Sequence, residues 1–282
     1  MKDEAVIETQ WSQPNKTKFN GSVITQASLE FIKSSLWTLA GCGILMAIWG
    51  LISAMTSNAL PSPIATMKTL WQLVSHPFYD NGPNDKGIGL QIYSSIIRVF
   101  IGFALGSVVA IPTGVLIGAS EICKKLFYPL VQLLRPVSPL AWFPIGLVIF
   151  KNAGNATIFM IFITSLWPTV INTAFGVASI PDDHRNVARA FAFSKWRYFT
   201  RILLPFSMPH ILTGLRLSMG VAWLVIVAGE MMSGGIGIGF FVWDSYNGGS
   251  LEKVMSAIIL IGTVGLLLDR GFDMIAKKFS YA

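Results

Sequence analysis

Residues 99–118 carry no charge, and apolar stretches of similar length recur along the chain. About 20 apolar residues are needed for a helix to cross a hydrocarbon core ~30 Å thick. Soluble domains carry about 25% charged residues, whereas only 12% of these 282 residues are charged and 53% are hydrophobic. The expected fold class is therefore all-α integral membrane, with six crossings at about 36–55, 91–118, 126–150, 156–180, 211–229 and 254–276.

The connections differ in character. A long loop rich in Pro, Asn and Gly follows the first crossing, and "ASEICKK" follows the second. The third crossing is interrupted by Pro129, Pro136, Pro139 and Pro144, and "KNAGN" leads into the fourth. Lys and Arg concentrate on cytoplasmic loops. The arm at 1–35, the 119–125 loop, residues 184–205 and the tail at 277–282 hold thirteen, against four on the opposite side. Both termini are thus expected in the cytoplasm. The arm is polar and mixed in charge and has no secretory-signal pattern. Gly102 and Gly106, and likewise Gly114 and Gly118, have the spacing that lets helices approach closely. No repeat relates the first three crossings to the last three.

Several chemistries are excluded. No G-x-x-x-x-G-K-[ST] run is present, so ATP is not hydrolysed here by that route. "GGIGIGF" lies between two crossings rather than after a strand, which rules out a dinucleotide fingerprint. The three histidines are scattered and the two cysteines stand alone, so no metal site or catalytic cluster is expected. The net charge of +7 comes without a basic stripe interleaved with exposed aromatics, which argues against a nucleic-acid partner.

Residues 184–205, "HRNVARAFAFSKWRYFTRILLP", hold five basic residues and no acidic one. They read as two short helices. Asp182 and Asp183 place negative charge at the start of the first, where Val187, Ala188 and Phe191 share a face and Arg185 and Arg189 lie together at i and i+4. Ser194 caps the second, whose apolar face is Trp196, Phe199, Ile202 and Leu203; Pro205 and Pro209 end it. Such a helix suits either anionic membrane lipid or a cytoplasmic partner.

The spacing of this stretch resembles the EAA loop of the permease subunits of bacterial ABC importers. There Glu-Ala-Ala is followed by three residues, Gly, nine residues and Ile-x-Leu-Pro. Here Asn186, Val187 and Ala188 take the first three places, Ala192 takes the Gly place, and Ile202, Leu203, Leu204 and Pro205 end the motif in register. Asn for Glu, Val for Ala and Ala for Gly are departures. Further stretches, "LLRPVSPLAWFPIGLVIF" and "ILTGLRLSMGVAWLVIVAGEM" among them, look like the branch importing nitrate, bicarbonate, sulfonates and taurine, over roughly residues 55–275. "FYDNGPNDKG", "LRPVSPLAW" and "GIGFFVWDSYN" look most like the nitrate/nitrite and bicarbonate permeases of that branch, and of the two nitrate is expected.

The resemblance implies a six-span permease at 36–276 with a coupling loop at 181–205. It implies a homodimer in the bacterial inner membrane, served by two cytoplasmic ATPase subunits that bind ATP and Mg and by a periplasmic or lipid-anchored binding protein. This chain itself would hold no cofactor. Val187, Phe191, Trp196 and Phe199 would enter a pocket of the ATPase. Gly235, Gly237, Gly239, Phe240 and Trp243 suggest a bent, re-entrant segment on the outer side, and the resemblance makes it an external gate. Ionisable residues near the spans are candidates for the anion path by default: Arg135 first, among the prolines of the third crossing, then Arg98, Arg216 and Glu230. Arg98 and Glu230, near the outer ends of their spans, are placed to pair. An ion-coupled secondary carrier and a membrane scaffold are the rival classes.

Overall fold

The computed structural model describes residues 21–56, 59–82 and 85–279. The expected N-terminal arm therefore lies outside the described residues as far as residue 20, and so do the last three residues of the tail. The first helix, α1 (Gly21–Met55), is a unit by itself. Its apolar part is Leu36–Met55, as expected, but the helix starts within the polar segment, because helical backbone needs propensity and length rather than apolarity.

The second unit begins at Leu60. The loop after the first crossing contains an unforeseen helix, α2 (Pro63–Ser75), although its start was legible. Ser62 accepts a hydrogen bond from the Ala65 N–H at 3.3 Å and Pro63 occupies the first turn. The chain then turns through an antiparallel bridge between Asp80 and Lys86 into α3 (Ile88–Ala119). The third crossing is two helices, α4 (Glu121–Leu134) and α5 (Pro139–Phe150), bent by 100° at a break holding Pro136. Pro136 and Pro139 cannot donate to the helix ladder and disfavour helical geometry before them. Beyond it lie α6 (Ala153–Ala178), α7 (Asp182–Ala190), α8 (Lys195–Tyr198), α9 (Leu204–Ser233), α10 (Ile238–Asn247) and α11 (Leu251–Phe279). Among the described residues, five helical runs are long and apolar enough to cross a membrane, and the bent pair makes a sixth candidate.

The core is built on α6, with α3 on one side and α9 on another. The two glycine pairs of α3 set the approach. A Cβ on Gly106 would lie 2.3 Å from Ser165 Oγ, and one on Gly118 would lie 2.5 Å from the carbonyl oxygen of Ala174. Without a hydrophobic driving force between helices in lipid, such close packing and a few hydrogen bonds hold the spans. Ser218 Oγ lies 2.7 Å from Thr169 Oγ1 and donates to the Ser165 carbonyl at 2.6 Å, joining α9 to α6. Trp223 Nε1 donates to the Ile261 carbonyl at 2.9 Å, joining α9 to α11.

One expectation is corrected. Pro205 and Pro209 do not end the helix after Ser194: residues Lys195–Ser233 run as one helical span. Phe199–Leu203 forms a π-helical turn in which the Leu204 N–H reaches back to the Phe199 carbonyl. That wider turn takes the chain out of the regular ladder just before Pro205 and so accommodates a residue with no N–H, and the helix continues into α9 instead of stopping.

Candidate functional site

The motif-bearing hairpin sits where α3, α6 and α9 end. Its anchor is Leu203, buried with Val177 and Ile180, with Tyr198, Phe199 and Ile202 packed around them. Ser194 caps α8 by accepting from the Arg197 N–H at 3.3 Å, as expected. Between α7 and α8 the chain reverses through Ala192, whose φ of 48° is left-handed. The Phe193 N–H bonds to the Ala188 carbonyl at 2.9 Å and the Ala192 N–H to the Arg189 carbonyl at 3.0 Å. These are the two bonds of a Schellman cap, whose left-handed position is usually Gly. The motif's Gly place is therefore a conformational requirement, and this chain meets it with Ala.

The apolar face of α7 differs from expectation. Val187 and Phe191, at i and i+4, point outward with 50% and 73% exposure, whereas Ala188, one position on, is buried. On the second helix Trp196 is 73% exposed and stacks on Phe199, with centroids 5.8 Å apart. Asn186, Leu204 and Pro205 lie along the same segment, the first and last exposed and Leu204 half-buried. Val187, Phe191 and Trp196 are thus large apolar side chains left bare on a strongly basic hairpin.

A second cluster lies at the other end of α9. Gly234 and Gly235 adopt φ of 69° and 85°, and the chain turns back into α10. Glu230 is fully buried. Its carboxylate accepts from Ser95 Oγ at 2.7 Å, Arg98 Nη1 at 2.8 Å and the Gly239 N–H at 3.0 Å. Arg98 Nη1 also donates to the Ile236 carbonyl at 2.6 Å. The Gly237 N–H donates to Gln91 Oε1 at 2.6 Å and the Ile238 N–H to Ser95 Oγ at 2.9 Å. The first amides of α10, which have no intrahelical partner, are thus taken up by side chains of α3 and by a carboxylate at the positive end of the helix. Gly239 is required by approach: a Cβ there would lie 2.1 Å from the Val227 carbonyl oxygen. Phe240 is half-buried, and Trp243 stacks with Tyr246 at 6.2 Å on the exposed side of α10.

The charged candidates separate by environment. Arg98 and Glu230 pair within this cluster. Arg216 makes a bidentate pair with Asp269 at 2.7 Å and a further bond to Asp273 at 2.9 Å, and Asp273 also meets Lys277 at 2.8 Å. Arg135 is exposed at the α4–α5 break and carries no ion pair among the described residues. Gln91, Ser95 and Asp273 were missed by sequence reasoning. Gln91, Ser95 and Arg98 do share one helical face by spacing, and Asp269, Asp273 and Lys277 another.

Apolar spans around a buried central helix, with an amphipathic hairpin left bare where they end, make this a multi-pass membrane permease. The chain belongs to the family described as the binding-protein-dependent transport system inner membrane component, which matches residues 92–281. It is 46% identical over 227 residues to the nitrate import permease protein NrtB of Synechocystis sp., covering 80% of this chain and 82% of the relative. Identity to NrtB of Synechococcus elongatus is 47% over 232 residues, 80% and 83% of the two chains. Identity to the bicarbonate transport system permease protein CmpB of Synechococcus elongatus is 44% over 238 residues, 83% and 86%. Among solved structures, the MetNI methionine ABC transporter in its inward-facing form aligns with a TM-score of 0.60 over 69% of this chain and 96% of that one, at 16% identity, and thus shares the fold. These relatives are permease proteins, and this chain is likewise the membrane-spanning rather than the ATP-hydrolysing part of its system.

Proposed function

We propose that this chain forms the membrane path of an ATP-driven importer for nitrate or nitrite. The observation that carries the substrate is the 44–47% identity to nitrate import permeases from three organisms, over at least four-fifths of this chain. The path lies between two copies of the chain, each a permease unit at 36–276 flanked by the 1–35 arm and the 277–282 tail, with both termini in the cytoplasm of a bacterium. A binding protein outside delivers the anion and two ATPase subunits inside, holding ATP and Mg, drive the cycle. The hairpin from Asn186 to Pro205 docks on the ATPase through the bare Val187, Phe191 and Trp196, with Asn186 offering a hydrogen bond in place of the motif's carboxylate. The turn at Gly235–Gly239 with Phe240 and Trp243 is the outer gate. Of the charged candidates, Arg135 contacts the anion, because Arg98, Glu230 and Arg216 already have partners. A path with few free cations suits conduction, which needs binding weak enough for the ion to leave.

The test is uptake by cells lacking this chain, given limiting nitrate or limiting bicarbonate with growth on ammonium as control. Loss of nitrate uptake alone is expected. Loss of bicarbonate uptake alone would move the protein to the second reading, which 44% identity to bicarbonate permeases favours. For the hairpin, Phe191→Asp with Trp196→Asp should release the ATPase while the chain stays in the membrane; surviving transport would refute the docking role.

A further inference from the structure

Beneath the hairpin lies a cavity of about 540 Å³ that the docking of Phe191 and Trp196 leaves unused. Its floor is apolar and comes from the ends of three spans: Ala119 closes α3, Val177 nearly closes α6, and Leu203 leads into α9. Its rim carries Arg185, Arg189 and Lys195, with no carboxylate in the lining. The charge is barely compensated. Asp182 stands 3.9 Å from Arg185, at the edge of an ion pair and largely in solvent, and Arg189 and Lys195 have no ion pair among the described residues. The Nε of Arg185 is buried and has no hydrogen-bond acceptor. Arg197, the next cation along, is not in the lining and stacks on the Phe193 ring at 5.3 Å.

We propose that this cavity is a binding site for the phosphate headgroup of an anionic phospholipid. Two guanidinium forks and an ammonium around one opening match phosphate oxygens, which accept several charge-assisted bonds at once. A single acidic side chain from a docked protein would leave at least one of the three cations unmatched. The place also fits, since the ends of spans lie at headgroup level, and the apolar floor offers cover for the start of an acyl chain. The docking apolar patch and the lipid site then occupy opposite faces of the same hairpin: Phe191 outward, Ala188 and Arg189 towards the spans. The site would hold the hairpin against the bundle whichever anion is carried.

The test is native mass spectrometry of the full chain in detergent, titrated with phosphatidylglycerol, phosphatidylcholine or inorganic phosphate. Wild type is expected to retain phosphatidylglycerol in preference to phosphatidylcholine. Lys195→Gln, at an exposed side chain, should weaken that binding about fivefold, and Arg189→Gln with Lys195→Gln about twenty-fivefold, given the worth of each cation near anionic lipid. Lys124→Gln with Lys125→Gln removes the same charge from the start of α4 and should leave binding within about twofold. Displacement of the lipid by millimolar inorganic phosphate would keep the phosphate site but make its source a soluble anion. Equal losses in the two double variants, or unchanged lipid binding in Lys195→Gln, would overturn the proposal. So would loss of ATPase co-purification in that variant with lipid binding intact, which would assign the cations to the partner protein.

Discussion

Arg98 and Glu230 lie 132 positions apart in the chain and meet at 2.8 Å, with the carboxylate fully buried and the guanidinium partly so. Breaking such a pair by removing one partner leaves an uncompensated buried charge, at a cost of about 3–5 kcal/mol. Arg98→Met should therefore destabilise the chain in detergent by about that much, read as thermal unfolding. Arg98→Met with Glu230→Gln should recover part of it, because the remaining neutral amide still accepts from Ser95 and Gly239.

Ala192 pays for a left-handed φ that glycine adopts freely. The cost for an L-residue there is about 1–2 kcal/mol, partly offset by the extra freedom glycine has when unfolded. Ala192→Gly is expected to stabilise the hairpin by about 0.5–1 kcal/mol and to slow amide exchange across residues 188–193. Ala192→Val should do the reverse.

Gly239→Ala sets a methyl against the backbone of Val227, which cannot move aside without shifting α9. Gly234→Ala meets only open space and pays for its φ of 69° alone. The expected order is a severe loss of folded yield for Gly239→Ala, by fluorescence-detected size exclusion, and a smaller loss for Gly234→Ala, whose φ of 69° with ψ of −172° is glycine territory at about 1–3 kcal/mol of strain.

Arg135→Gln and Arg216→Gln should fail differently. Arg135 has no ion pair to lose among the described residues, so its removal should raise the KM for uptake by about tenfold while melting stays unchanged. Arg216 holds α11 through Asp269 and Asp273, so Arg216→Gln should lower the melting temperature and leave KM close to normal in protein that folds. The opposite split would exchange their roles.

In the loop before α3, the Lys86 ammonium hydrogen-bonds to the Asp80 carboxyl and, with the Gly82 N–H, holds it below the usual carboxylate range. A depressed folded-state value means the loop gains from Asp80 above the carboxyl's ordinary range and loses that gain as pH falls through the lower value. Protease resistance of residues 76–87 in the intact chain should thus hold from pH 7 to about 4 and decline below. In Lys86→Ala the decline should begin at higher pH.

The positions of the apolar helices were readable because lipid imposes a length and an apolarity that few other environments demand, whereas the 100° bend between α4 and α5 leaves, among the described residues, five full-length runs and one broken pair where six crossings were expected. The two short helices of the motif-bearing stretch were legible, and one of its departures, Ala192, marks real backbone geometry. Orientation within the hairpin was less legible. Val187 and Ala188 are equally compatible with an apolar face, and only packing against the span ends decided which was buried. The α9 cluster was half-visible: Arg98 and Glu230 stand out as charges, whereas Gln91 and Ser95 act through backbone amides of a turn whose path no local pattern gives. Pro205 misled because a proline is ordinarily a stop, and the π-turn Phe199–Leu203 just before it is not encoded by any single residue.

That uninterrupted run from Lys195 to Ser233 has a mechanical consequence. At 1.5 Å per residue it is a rod roughly 58 Å long, with Trp196 at one tip and Glu230 close to the other. A tilt of about 5° pivoted at either tip sweeps the far one by roughly 5 Å over that length, more than the reach of any hydrogen bond around Glu230. Leverage alone thus makes the grip on α10 sensitive to small rotations at the hairpin, and the π-turn, as the one wider coil in the shaft, is where such a rotation would be lost or kept.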